Sequence, residues 1–390
     1  MRISNYQYDV IVIGAGVLGT FHAWFAAQRG MRVLLIEQDE LPRGASVRNF
    51  GWCIPSAMPA GECADRGIAG LAIYLELAET IGIRLSRRGT QYVASTELEE
   101  AVIREFATGH SNGDLRCKLL DTKSSRALNP HLRREYCRVS LFFPDEVRIE
   151  PKTIFAKVIV WMERETDCDY RPRTVAYGVD VHDGHCRVAT GDGRISRAGH
   201  VFVCSGVETR ILFPDVWATA GLRRCQLQML RTAAQTDWEM PTNLASGLSI
   251  RRYPSFRQCP SWAKLAEQSV APGYDERGIH VLLPQDFSGR LVIGDSHCYF
   301  DGDIDDRLDA ETERLILKYA QQMVDVPDWT IARRWQGVYT LLDDDDVFTS
   351  TIDYRIHLVT GIGGKGMTLA PALARESIDA IASTDPIPVT

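Results

Sequence analysis

The stretch Tyr8-Asp9-Val10-Ile11-Val12-Ile13-Gly14-Ala15-Gly16-Val17-Leu18-Gly19 decides the fold. A helical run to Gly30 follows it, and then Arg32-Val33-Leu34-Leu35-Ile36-Glu37. Strand, glycine turn, helix, strand and acidic residue arrive in the order and lengths that hold an ADP moiety. Gly14 permits the tight turn, Gly16 lets backbone approach a pyrophosphate, and Gly19 lets the helix pack on the strand. The helix N-terminus turns free N–H groups and a partial positive charge toward phosphates. Glu37, 18 residues beyond Gly19, ends the second strand where a carboxylate accepts hydrogen bonds from ribose hydroxyls. These residues predict a bound dinucleotide.

Outward from this unit, 390 residues suffice for a full core and two domains. A hydrophobic content of 45% and a charged content of 24% are those of an ordinary soluble protein. A net charge of -7 with no basic stripe argues against nucleic acid as a partner. The ten cysteines form no CxxC pair and have no histidines clustered beside them, so no metal site is expected. The acidic run at 343–346 lacks the spaced ligands and glycine of a calcium loop and reads as a solvated loop. No signal region precedes the first strand, and no apolar run reaches the ~20 residues of a membrane span. The expectation is a cytoplasmic protein with reduced cysteines.

Hydrophobic spacing predicts a helix over 62–82, a strand over 89–95, a helix over 96–109 and a helix from Pro151 to about 164. Short strands follow from 174, and the one over 200–204 ends at Ser205-Gly206, suiting a second close approach of backbone to cofactor. Strand-like runs occur at 226–232, 248–253, 280–283 and 290–294, and 307–325 reads as a helix. The strand 355–360 then enters Gly361-Ile362-Gly363-Gly364-Lys365-Gly366-Met367-Thr368 and a last helix to about 382. This second glycine turn has no acid some 20 residues on, so it is not a second ADP site. Its helix N-terminus can instead place N–H groups against an electron-rich carbonyl. Flavin has one at C2, where the reduced ring gathers negative charge. The two glycine turns together predict FAD.

The first glycine unit, the Val203-Cys204-Ser205-Gly206 strand end, the Trp335-Gln336-Gly337-Val338-Tyr339 segment and the second glycine turn, in that order, resemble the FAD-dependent D-amino-acid oxidase/glycine oxidase/sarcosine oxidase superfamily. The likeness covers essentially the whole chain. Further motifs are similar to one bacterial branch, the amine oxidases associated with 2-aminoethylphosphonate breakdown. They are Ser46-Val47-Arg48-Asn49-Phe50-Gly51, Leu248-Ser249-Ile250-Arg251-Arg252-Tyr253, Gly278-Ile279-His280-Val281, Gly294-Asp295-Ser296-His297 and Gly363-Gly364-Lys365-Gly366-Met367-Thr368.

The resemblance implies an α/β protein in which a Rossmann-type FAD-binding domain is interwoven with an α+β substrate domain. The FAD-binding share would come from 1–85, 145–215 and 330–390. The substrate share, 86–144 and 216–329, would be built on a mixed, largely antiparallel sheet. The implied chemistry removes a hydride equivalent from the carbon beside an amine nitrogen. The imine then hydrolyses to an aldehyde, and dioxygen or another acceptor reoxidises the flavin, with peroxide formed in the oxidases.

Expected cofactor contacts are Gly14, Gly16, Val17, Leu18, Gly19, Glu37, Gln38, Arg43, Ala45, Ser46, Arg48, Asn49, Val175, Ser205, Gly206, Gly337, Gly361, Gly363, Gly364, Lys365, Gly366, Met367 and Thr368.

Amino-acid oxidases of the superfamily often carry an Arg just after Trp-x-Gly to pair with a carboxylate, and here Tyr339 stands near that place. Sarcosine oxidases use a Lys just after the C-terminal glycine turn, where this chain has Thr368. Their flavin-tethering Cys near Gly337 is absent. The expectation is therefore non-covalent FAD and a small amine, 2-aminoethylphosphonate or its N-methyl derivative, in place of a standard α-amino acid. The alternative is a glycine, sarcosine or D-amino-acid oxidase or dehydrogenase with a relocated carboxylate clamp. Arg suits an oxyanion because its planar fork donates two parallel hydrogen bonds. Arg48, Arg251 and Arg252 are the candidates, and on a strand the last two would point to opposite faces. Tyr253 and His280 join Arg251 and Arg252 as the expected substrate-binding residues, and Arg48, His297, Tyr339 and Lys365 are the expected catalytic ones. Lys365 either stabilises reduced flavin and assists oxygen, or faces solvent.

Overall fold

The computed structural model describes residues 7–109, 115–301, 305, 307–343 and 347–384. Residues 344–346 of the acidic run lie outside these, while Asp343 pairs with Arg223 at 3.0 Å.

Val10, Ile11 and Val12 are fully buried, as a continuous apolar run in a parallel sheet requires. Strand β1 (Tyr8–Ile13) leads through the glycine turn into helix α1 (Val17–Gln28) and strand β2 (Val33–Ile36). β1 pairs in parallel with β2 and with Ile195–Val203, and β2 pairs in parallel with Cys168–Arg171. Ile356–Thr360 adds in parallel beside Ile195–Val203, with Phe348–Ile352 antiparallel outside it. The hairpin Ala176–His182 and His185–Thr190 extends this eight-stranded sheet from the N-terminal half of Ile195–Val203. α1 packs on the last helix, Gly366–Thr384, which packs in turn on Glu62–Thr80. A Cβ at Gly70 would stand 2.1 Å from the Thr368 carbonyl oxygen, so the last two helices meet backbone to backbone.

The second sheet has nine strands around Arg223–Ala234, which pairs antiparallel with Arg290–Gly294, Cys298–Phe300 and Ile331–Leu341. Asn243–Ala245 beside Thr90–Ala94 is a parallel pairing, so the sheet is mixed and largely antiparallel. A small third sheet joins Trp52–Cys53, Val147–Ile149 and Leu85–Ser86. The α/β class and the mixed sheet agree with expectation. Among the described residues no helix is long and apolar enough to cross a membrane.

One element differs in kind. Residues 248–253 read as a strand, but Gly247–Arg252 is a helix, closed by Ser249 N–H to Ser246 O and Tyr253 N–H to Ser249 O. Leu248 and Ile250 at i, i+2 follow the strand period, but Gly247, Leu248, Ser249 and Ile250 are all buried, so this short helix is enclosed on every side and its burial carries no helical stripe. Arg251 and Arg252 thus diverge by the turn of a helix, not by the alternation of a strand.

Beneath the first sheet, His22 and His357 flank Phe202, with ring centroids at 4.7 and 4.6 Å. Burial pushes both imidazoles down to about 4. The unfolded chain binds these protons from about pH 6.5 downward and the folded chain does not, so stability falls as pH drops from 6.5 toward 4. Thermal melts should show Tm declining across this window, with a shallower decline for His22→Gln. An unchanged slope in that variant would remove His22 from the account.

Candidate active site

A cleft of about 610 Å³ runs along the C-terminal ends of β1, β2 and Ile195–Val203, where parallel α/β sheets receive ligands. Its first end is set by the glycine turn. Gly14 has φ +97, and a Cβ there would stand 2.4 Å from the Cys204 carbonyl oxygen. Glu37 is 6% exposed and braces the turn, its carboxylate accepting from Ala15 N at 2.8 Å and Asp39 N at 3.1 Å. Gly16 caps α1 without a side chain, and Ser46 Oγ accepts from Val17 N at 2.9 Å. Bare glycine backbone, a helix start with no side chain on its cap residue and a fixed carboxylate fit a pyrophosphate and its ribose.

All the expected cofactor residues line the cleft except Gly19, which lies behind it. A Cβ on Gly19 would fall 1.7 Å from the Gly14 carbonyl oxygen, so this glycine sets the distance of α1 from the turn. Midway, Gly361 and Gly363 take φ +72 and +64, and Gly364 faces the Tyr339 hydroxyl, 3.5 Å from a Cβ built there. Lys365 lines the cleft in this turn. The Thr368 hydroxyl accepts from Ile54 N at 3.1 Å and is buried, so it is committed to packing.

Arg48 lines the cleft, but its side chain is not at the substrate end. Its Nε donates to Arg43 O at 2.8 Å and its Nη1 to Gln336 O at 3.0 Å, while Trp335 Nε1 donates back to Arg48 O at 3.0 Å. Asn49 holds the same loop, donating to Ala45 O and accepting from Gly51 N. Arg48 and Trp335 clasp the loop to strand Ile331–Leu341. Arg251 leaves the cleft altogether. Its guanidinium donates to Leu265 O and Gln268 O at 2.7 and 2.6 Å, with Glu99 at 3.8 Å. The expected substrate roles of Arg48 and Arg251 therefore pass to a structural clasp and a helix tie.

Arg252 faces the cleft with Tyr253, His280, His297 and Tyr339. It donates to the Tyr299 hydroxyl at 2.8 Å, and no carboxylate of the described residues lies within 4.0 Å of it. Burial works against its charge, but Tyr299, Tyr339 and Asp295 outweigh that and push its pKa up. Burial raises the Tyr339 and Tyr253 phenols, so both stay neutral.

Asp295 was missed by sequence reasoning, although it sits within Gly294-Asp295-Ser296-His297. Its carboxylate meets His280 Nε2 at 2.7 Å and His297 Nε2 at 3.8 Å. The His280 contact is close but off the axis of a hydrogen bond, leaving Oδ1 without a bonded donor. Reciprocal backbone bonds between His280 and Asp295, at 3.1 and 2.8 Å, fix the pair. Ser249 Oγ meets His280 Nδ1 at 3.1 Å, and Gly278 O meets His297 Nδ1 at 2.9 Å. Burial pushes both imidazoles down against the pull of Asp295. Burial alone would raise the Asp295 carboxyl, but His297, His280 and Arg252 hold it below the usual range. The three groups lie within 4.8 Å of one another, the span of a metal site. The Arg252 charge acts on the same carboxylate and weighs against a cation there.

Comparisons with known proteins agree with this architecture. The family profile described as FAD dependent oxidoreductase (DAO) matches residues 9–380. A glycine oxidase of Bacillus licheniformis is 23% identical over 96% of this chain and 93% of its own. Among solved structures, glycine oxidase from Bacillus cereus superposes with a TM-score of 0.78, at 16% identity, over 97% of this chain and 96% of that one. L-proline dehydrogenase from P. horikoshii gives a TM-score of 0.80, at 17% identity, over 97% and 94%.

Proposed function

The chain belongs to the FAD dependent oxidoreductase family, with FAD as its cofactor, and from that premise we propose that it oxidises the C–N bond of a small anionic amine. The favoured substrate is 2-aminoethylphosphonate or its N-methyl derivative, converted to an aldehyde after imine hydrolysis. Bound non-covalently, FAD would supply the two-electron acceptor, reoxidised by dioxygen with peroxide formed, or by another acceptor. The Gly14–Gly16 turn and Glu37 would hold its adenosine side, and the 361–368 turn would face its ring.

The observation that carries the reading is Arg252, charged and half-buried at the far end of the cleft, with no carboxylate of the described residues within 4.0 Å. Its fork can take two oxygens of a phosphonate, with the neighbouring Tyr299 hydroxyl holding it in place. Phe50, Trp52, Leu227 and Met229 line the cleft between this end and the glycine turns, and keep water from the reacting carbon. Tyr339 spans the two, its hydroxyl against Gly364 and its ring near the Arg252 charge.

Anaerobic addition of 2-aminoethylphosphonate or its N-methyl derivative to the yellow protein should bleach the flavin absorbance. Bleaching by glycine or sarcosine with none by aminophosphonates would replace the substrate. That outcome is the second reading, an amino-acid oxidase whose carboxylate clamp has moved to Arg252. The same guanidinium fork and the glycine oxidase likeness favour it.

A further inference from the structure

Resting on the phosphonate reading, we propose that the anion enters the site together with one proton from solvent, which is taken up at His297 Nε2. The argument is a count of buried charge. Arg252 contributes one positive charge and Asp295 one negative. Burial keeps Tyr253, Tyr339 and the nearby Cys225 protonated and neutral. Tyr299 stacks on His297 with ring centroids at 6.5 Å, and the Arg223–Asp301 pair lies at the rim beyond it. The two imidazoles are uncharged in the empty pocket because burial opposes their protonation. The groups around Asp295 thus balance to zero, with Lys365 and Arg257 also on the cleft lining, and a phosphonate dianion brings up to two further negative charges into a low-dielectric space.

Among the described groups beside Asp295, His297 is the one placed to answer, from an imidazole that burial holds down to about 3. His297 Nδ1 faces a carbonyl, Gly278 O at 2.9 Å, so that nitrogen carries the hydrogen and Nε2 keeps its lone pair. This Nε2 lies 3.8 Å from Asp295 Oδ2, and a proton placed there gains an acceptor as well as the arriving anion. His280 Nδ1 is taken by Ser249 Oγ, and its Nε2 already faces Asp295 Oδ1 at 2.7 Å. No bond to carbon changes in this step. A solvent proton is transferred to a ring nitrogen, and the complex gains one positive charge.

The test uses the FAD-loaded protein and ethylphosphonate, which lacks the amine and cannot be oxidised. Calorimetric titration in buffers of different ionisation heat should show uptake approaching one proton per ligand, after correction for the ligand's own titration. On the alkaline side Kd should rise about tenfold per pH unit, as a single linked proton requires. Ethanesulfonate, a permanent monoanion, should bind with less uptake. In His297→Gln the uptake should disappear while flavin content stays unchanged, and His297→Asn serves as a second variant. Uptake that persists in both variants places the proton elsewhere and overturns the proposal. Phosphonate binding with no uptake in the unaltered protein also overturns it, but leaves the substrate reading standing. No binding of ethylphosphonate at any pH overturns both.

Discussion

Replacing Arg252 with glutamine is expected to lower kcat/KM for 2-aminoethylphosphonate by about a hundred- to a thousandfold. Removing one partner of a buried charge pair costs roughly 3–4 kcal/mol, and each 1.4 kcal/mol is a factor of ten. The loss should fall mainly on KM, because the guanidinium holds the anion in ground state and transition state alike. Propylamine, which has no anion, should lose less than about fivefold by the same reasoning. Steady-state kinetics with both substrates decide the matter. An equal loss for the two amines would mean that Arg252 shapes the pocket without gripping the anion. Arg252→Lys should recover only part of the activity, since an ammonium lacks the planar fork.

The second large effect belongs to Gly19. Gly19→Ala should leave a folded protein with less than about a tenth of the normal flavin content. The added methyl would lie 1.7 Å from the Gly14 carbonyl oxygen, and both sides of that contact are main chain. Relief requires α1 to move away from β1, which opens the turn meant for the pyrophosphate. Overpacking of this kind costs about 1–3 kcal/mol of stability, which a core of this size can absorb. A cofactor site displaced by an ångström cannot absorb it. Flavin-to-protein absorbance ratios check this, with Gly178→Ala as the control. A Cβ at Gly178 meets only Ala189 Cβ, at 3.6 Å. Full flavin content in Gly19→Ala would show that the helix can slide without spoiling the cradle.

The first sheet was legible because its signals are local. Glycine spacing, an apolar run and an acid at fixed distance all lie within 37 residues, and each has a steric cause. The substrate end was only partly legible. Arg252, His280 and His297 could be named, but Asp295, which organises the two histidines, could not. It meets His280 across a backbone pairing of segments 15 residues apart, and no periodicity marks such a partner. The segment at 248–253 failed for another reason. Leu248 and Ile250 at i, i+2 mimic a strand, because a six-residue helix buried on all sides shows no apolar stripe. Arg48 shows the same limit: its type suits an anion, yet two backbone carbonyls from separate segments claim it first.

That clasp has a mechanical side. Arg48 and Trp335 button the loop beneath the cofactor cradle to the strand that presents Tyr339, with bonds running in both directions across the seam. Floor and wall of the reaction chamber are therefore one piece of furniture. A change on either side of the seam reaches both the loop and the strand that carries Tyr339.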